Sequence, residues 1–287
     1  MSVQFIAEVS SNHHQDLKRC LEFIDAAYEI GCDSVKFQLF KIEELFAPEI
    51  LEKSPNHRNR KKWELPLDFL SPIAEQCHKK NMKFSCTPFY LNAVKELEEF
   101  VDFYKIASYE LLWDDLLKAC AETGKPVIIS TGMATMKEID HAVSVLKKSG
   151  CKNPTILHCV SGYPTPIDQC NLRAIQTIRD RTGCTVGWSD HTANPQVINR
   201  AIHRWDASFI EFHLDLDGKG GEYESGHCWL PSEINKIIQM SKNSYLADGD
   251  GIKQPVQAEI KDRSWRADPK DGLRPLREVR KYWIVEE

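Results

Sequence analysis

The 287-residue chain sets 37 Lys and Arg against 42 Asp and Glu, a formal charge of −5, with 42% hydrophobic and 28% charged residues. That balance suits a globule able to bury a sizeable core, excludes a disordered chain, and argues against a general nucleic-acid surface. No charge-free apolar run approaches the ~20 residues of a membrane helix, the start MSVQFIAEVSS lacks a basic-then-apolar leader, and the ten cysteines are scattered with no CxxC pair, so a reduced cytoplasmic protein with buried thiols is expected.

In chain order, the first cycle runs from a compact strand at Gln4–Val9 through polar SSNHHQ to Leu17, Cys20, Leu21, Ile24 and Tyr28, which recur at helical spacing until Gly31. Further strands are predicted at Ser34–Leu39, Lys83–Cys86, Phe103–Ile106, Val127–Ser130, Thr155–Cys159, Thr185–Ser189 and Phe209–His213. Helical periodicity falls near 66–80, 90–99, 113–123, 136–149, 171–181, 195–204 and 231–246. Eight strands alternating with helices predict an α/β fold, a parallel (β/α)8 TIM barrel over residues 1–247, an architecture that takes ~250 residues. Two segments break the rhythm. Residues 40–65 form a basic excursion that reads as a lid, and residues 248–287 form an extended tail rich in Arg, Pro and Gly.

A parallel barrel gathers its active site at the C-terminal ends of its strands. Standing there are Glu8, Lys36, Gln38, Thr87, Lys105, Ser108, Glu110, Ser130, Thr131, His158, Ser189, Asp190, His191, Glu211 and His213. So polar a ring reads as a shared site, with a hydrogen-bonded structural role as the alternative for any one member. Lys36 and Lys105 lie inside strands that have no solvated face in a wrapped barrel. Either they meet an anionic ligand, helped by the hydroxyls of Thr87, Ser108, Ser130 and Ser189, or they pair with internal carboxylates such as Glu8 or Glu211. Two ammonium groups and several hydroxyls suit phosphate and carboxylate better than a neutral sugar. His191 and His213 end neighbouring strands and could hold a divalent cation, for which imidazole suits Mn, Fe, Co or Zn better than Mg; two such histidines without a metal are the alternative. His158 is expected to make a structural hydrogen bond, and His13, His14, His57 and His78 to be loop or surface residues. The chain has no GxGxxG opening a helix, no GxxxxGK[ST], no HExxH and no GxSxG, which disfavours dinucleotide chemistry and serine hydrolysis.

The chain carries, in order, the motifs AEVSSNH, SVKFQ, FSCTPF, YKIAS, KPVIISTGM, LHCVSGYPTP, GWSDHT and EFHLD, and over about residues 4–235 it resembles the N-acetylneuraminate synthase (NeuB-like sialic acid synthase) family. The resemblance implies a synthase that condenses phosphoenolpyruvate with an N-acetylated sugar aldehyde to a nonulosonic acid, releasing phosphate. It implies Glu8 as catalytic carboxylate; Lys36, Lys105, Thr87, Ser108, Ser130 and Ser189 on phosphoenolpyruvate; and Gln38, Glu110, Tyr163 and Glu224 on the sugar. His191 and His213 would ligate the metal, typically Mn2+, with Mg2+ or Co2+ as alternatives. The site is thus expected to be a positively lined pocket beside a metal ion.

Three departures stand out. Only about 50 residues follow the barrel, too few for the family's antifreeze-like domain, which lends an arginine to the sugar site. Arg266 and Arg274 of the tail are therefore substitute candidates, together with Arg263 and Arg277. Ser161 stands in the substrate region where many members carry Asn, and GEYESGHCWLP lacks the usual Asp-His pair. The alternatives are a metal-dependent sugar-phosphate aldolase or lyase on the same barrel, and a non-catalytic sugar-binding barrel. A homodimer is the default expectation.

Overall fold

Eight strands close into a ring: β1 (Gln4–Glu8), β2 (Ser34–Leu39), β3 (Lys83–Pro88), β4 (Phe103–Ile106), β5 (Val127–Ser130), β6 (Thr155–Cys159), β7 (Thr185–Asp190) and β8 (Phe209–Leu214). Each pairs with the next, and β8 returns to β1 in register Gln4↔Phe209 through Glu8↔His213, which completes a parallel (β/α)8 barrel. This computed structural model describes residues 3–283. Contacts divide the chain into two units, Met1–Asn243 and Ser244–Glu287.

The helices that wrap the ring are α1 (Leu17–Glu29), α2 (Leu70–Lys79), α3 (Leu91–Leu97), α4 (Asp114–Glu122), α5 (Met136–Lys148), α6 (Ala174–Thr182), α7 (Pro195–Trp205) and α8 (Pro231–Asn243). Local chemistry starts and stops them. Asp16 accepts the Lys18 N–H to begin α1, Thr135 and Glu138 form a reciprocal capping box on α5, Pro195 opens α7, and Gly183 takes the left-handed conformation that ends α6. Among the described residues no helix is long and apolar enough to cross a membrane.

Strand parity divides the core in two. Side chains at alternate positions, including Phe5, Ala7, Val35, Phe37, Phe84, Tyr104, Ile129, Ile156, Trp188 and Phe212, join the large cluster that includes the inward faces of the helices. The opposite parity fills the barrel itself, where Ile6, Phe103, Ile128 and Leu157 form a separate small cluster with Phe209 packed against it. One step up those same strands stand Glu8, Lys105, Ser130, Cys159 and Glu211, all buried. The barrel therefore has an apolar floor and a polar mouth. Gly187 is required at the floor, because a Cβ there would fall 2.4 Å from the Phe209 carbonyl oxygen and 2.6 Å from Leu157 Cδ2.

All ten cysteines are free and buried, as the sequence leads one to expect. A short ninth strand, β9 (Cys228–Trp229), adds to the top of β8 with His213 opposite Cys228. In the second unit, Gln257–Trp265 forms 3-10 turns, the Trp265 and Trp283 rings meet edge-on at 5.2 Å, and Asp271 pairs with Arg277 and Arg280.

Candidate active site

A cavity of about 640 Å3 opens over the polar end of the barrel. Twelve of the residues singled out in the sequence line it: Glu8, Lys36, Gln38, Lys105, Ser108, Glu110, Ser130, Tyr163, Ser189, His191, Glu211 and His213. Their convergence follows from parity and register. Glu8, Lys36 and His213 face one another because β1 pairs Glu8 with Lys36 on one side and with His213 on the other.

Both buried lysines are ion-paired. Lys36 Nζ lies 2.5 Å from Glu8 Oε2 and donates to Thr87 Oγ1 at 3.2 Å, while Lys105 Nζ is 3.4 Å from Glu211 Oε1. Burial opposes the charge on Lys36, but Glu211 and Glu8 outweigh it and raise its proton affinity. Burial prevails at Lys105, whose pKa is lowered, and Lys105 with Lys36 holds the Glu211 carboxyl well below its usual range against its own burial. The pocket is thus charge-compensated at its base, not positively lined, because carboxylates on β1 and β8 reach the same height as the lysines. Gln38 Nε2 donates to Glu8 Oε1 at 2.6 Å, and Ser189 donates to Glu211 at 3.1 Å.

The hydroxyls of Ser108 and Ser130 line the cavity with this base. Ser108 Oγ accepts the Gly132 N–H at 2.9 Å, and a Cβ on Gly132 would fall 2.2 Å from Ser161 Oγ. The side-chain oxygens of Ser130 and Ser161 are buried without a hydrogen-bond partner. Such orphans are rare in folded proteins and mark a place for a ligand's oxygens. Glu110, also buried, has its carboxyl pushed up by desolvation to about 7.

On the opposite wall three imidazoles surround Tyr163, whose ring centroid is 4.2 Å from His191, 5.0 Å from His227 and 6.1 Å from His213. His191 Nδ1 donates to the Val160 carbonyl at 2.8 Å, which leaves the Nε2 lone pair free. Its ring is 5.3 Å from that of His213. The expected two-histidine wall is present, but the side chains whose donor atoms converge most closely are His213, Glu222, His227 and Cys228, within 4.8 Å of one another.

Other expectations require correction. Glu224 is exposed and does not line the cavity; its neighbour Glu222 does, because two residues on one helical turn point to nearly opposite sides. His13 lies in the loop after β1, as expected, but is buried there, with its pKa lowered by desolvation to about 4. Thr87 sits behind Lys36, and Ser161 beside Ser108. Arg266 and Arg274 lie in the second unit, where Arg266 donates to the Arg263 carbonyl at 2.9 Å. His158 makes its structural bond to the Cys170 carbonyl at 2.9 Å. Sequence reasoning missed Ser10, Ser11, Glu222 and His227, and it missed the side chains that the 40–65 excursion sends to the rim: Leu45, Phe46, Arg60 and Trp63.

The profile of the NeuB family matches residues 23–253. The chain is 34% identical over 270 residues to the N,N'-diacetyllegionaminic acid synthase of Campylobacter jejuni, covering 90% of this chain and 80% of that one. It is 30% identical to the pseudaminic acid synthase of Helicobacter pylori, with 89% and 73% covered. Among solved structures it is similar to the N-acetylneuraminic acid (sialic acid) synthetase of Leptospira borgpetersenii, crystallised with citrate. There the TM-score is 0.80 at 32% identity, and 91% of this chain and 90% of that chain are covered.

Proposed function

This chain belongs to the NeuB family, and from that footing we propose that it condenses phosphoenolpyruvate with an N-acetylated sugar aldehyde to give a nonulosonic, sialic-type 2-keto-3-deoxy acid and inorganic phosphate. The observation that carries the reading is the base of the cavity, which two buried ammonium groups line together with the Ser108 hydroxyl and the partnerless hydroxyl of Ser130. Those are the donors that a phosphate and a carboxylate on one small molecule require.

Lys36 and Lys105 would exchange part of their contact with Glu8 and Glu211 for the substrate's anionic oxygens, so the site needs no rearrangement of strands to accept it. The π electrons of the enol phosphate form the new bond from C3 to the aldehyde carbon while the carbonyl π pair moves onto the aldehyde oxygen, which takes a proton from solvent and becomes a hydroxyl. Water adds to the cationic C2 so produced, its proton passing to Glu8, which is held in place by Gln38 at 2.6 Å. The tetrahedral centre then gives up the proton of its new hydroxyl, the C2 carbonyl forms and the C–O bond to phosphate breaks, with the lysines and hydroxyls stabilising the departing charge. Gln38, Glu110 and Tyr163 line the same cavity and are the side chains proposed for the sugar. His191, with its free Nε2, and His213 suit a divalent metal ion, Mn2+ being the family's usual choice. When bound, such an ion supplies Lewis acidity to the acceptor carbonyl.

The test is incubation of the protein with phosphoenolpyruvate and a panel of 2-acetamido sugars, following phosphate and keto acid together. Stoichiometric appearance of both is expected. Cleavage of a sugar phosphate without inorganic phosphate would indicate the aldolase alternative, and inertness with every sugar the binding barrel.

A further inference from the structure

The excursion after β2 is braced by its own contacts. It runs through short helical turns at Ile42–Leu45, Pro48–Lys53 and Pro55–Arg58 into a 3-10 turn at Asn59–Trp63. Ile42 and Leu65 are buried near its two ends, the Ile42 N–H donates to Glu64 Oε1 at 2.8 Å, and Gln15 Nε2 donates to the carbonyls of Lys61 and Glu64 at 3.2 and 2.9 Å. The Phe46 and His57 rings meet edge-on at 4.8 Å. Packing and hydrogen bonds therefore place its rim residues before any ligand arrives, which lowers the cost of binding there.

Arg60 is the cation that this segment sends to the cavity, and its donors are unused. It makes no hydrogen bond or ion pair with any described residue, and its guanidinium carbon lies 5.5 Å over the Phe46 ring and 5.6 Å over the Trp63 ring. Its neighbours are engaged elsewhere: Arg58 donates to the carbonyls of Leu51 and Glu52, Lys61 pairs with Glu43 at 2.6 Å, and Lys62 lies over the Trp63 ring. A guanidinium set against aromatic rings keeps a planar fork of N–H donors available to an oxygen and gives up little freedom in binding one.

We propose that Arg60, Phe46 and Trp63 form a subsite for an N-acyl group of the acceptor sugar, Arg60 donating to the amide oxygen while the two rings and Leu45 pack against the acyl carbons. The make-up of this rim selects an amide over a phosphate. Leu45, Phe46 and Trp63 line the cavity with one guanidinium among them. A phosphate there would meet a single cation and would lose its water against apolar carbon, a cost that one charge does not offset. An acylamino group presents what the rim can match, one acceptor oxygen beside apolar carbon. The acceptor's part in catalysis rests on the condensing reading above, whereas its binding at the rim does not.

The test is calorimetric titration of the full-length protein with three sugars of one skeleton: the 2-acetamido hexose of the panel that binds most tightly, its 6-phosphate, and the parent hexose with a hydroxyl in place of the acetamido group. In the wild type the acetamido sugar should bind at least about tenfold more tightly than the parent hexose, and in Arg60→Met that gap should shrink to about threefold or less. The 6-phosphate should bind no more tightly than the unphosphorylated sugar, whether at about 50 or about 500 mM salt. Lys62→Met, a loss of charge on the same turn, should leave the gap intact. The subsite is overturned by a wild type that does not discriminate the acetamido sugar from the parent hexose, by a gap that survives Arg60→Met, or by an equal loss in Lys62→Met. Tighter binding of the 6-phosphate that fades in salt overturns it as well. Acetamido-selective binding without phosphate release would refute the condensing reading alone, and phosphate release with a gap unmoved by Arg60→Met would refute the subsite alone.

Discussion

Lys105 shows how burial changes the meaning of a substitution. Its ammonium is 2% exposed and its partner Glu211 7%, so Lys105→Ala removes a group from the substrate and also leaves a buried carboxylate without its neighbour. Breaking a buried pair from one side destabilises by about 3–5 kcal/mol, and urea unfolding of Lys105→Ala should show a loss of that order beside the loss of turnover. The double variant Lys105→Met/Glu211→Gln should recover most of the stability and none of the activity. The sequence alone predicts loss of turnover with the fold untouched; the ion pair adds the stability term. Glu110 supplies a pH signature. Desolvation raises its pKa from 4.5 to about 7, so the folded state keeps a proton that the unfolded chain gives up. This contribution to stability is intact below pH ~4.5, is lost as pH rises through the folded pKa, and is constant above it, a difference of about 3 kcal/mol at most. Glu110→Gln should therefore flatten the fall in stability between pH ~4.5 and ~7, measured by denaturant unfolding at each pH. Equal slopes in the two proteins would contradict this environment for Glu110.

At the scale of elements, parity along the strands separates working polar residues from structural ones. Asp190 ends β7 beside Ser189, yet it takes the opposite face, where it accepts from the indole N–H groups of Trp188 at 2.9 Å and Trp229 at 3.1 Å. His158 lies on the outer face of β6 for the same reason, with its ring 5.3 Å from that of Trp188. Ser189 and Glu211, of inward parity, are register partners on β7 and β8 and bond side by side at the barrel mouth. Gly187 belongs to the inward set as well, and there no side chain fits between β8 and Leu157. Gly187→Ala must shift backbone and should lower stability by about 1–3 kcal/mol or more, visible as a reduced melting temperature; an unchanged melting temperature would mean that β7 and β8 can part without loss. Much of this was legible beforehand, because the period of a strand is two and a buried lysine or glutamate at every second position announces the mouth. What escaped was β9, whose two residues are too few to show any period. With it went Glu222 and His227.

Across the whole molecule, every residue that lines the cavity falls between Glu8 and His227, within the unit that ends at Asn243. A chain ending there should unfold cooperatively by circular dichroism, since it keeps the full barrel and its core; a non-cooperative melt would show that the barrel core is not sufficient. If Arg266 and Arg274 serve the acceptor, as the sequence suggests, the same truncation will raise the acceptor KM and leave that of phosphoenolpyruvate unchanged. The sequence by itself determined the eight strands, the helices between them, the reduced cysteines and most of the polar ring, because these follow from periodicity, composition and the topology of a closed parallel sheet. Only the tertiary structure decided that the lysines are compensated by Glu8 and Glu211, that Glu222 and not Glu224 turns inward, and that Cys228 stands beside His213. Those outcomes depend on distances between residues far apart in the chain, which closure of the barrel sets and local pattern does not encode.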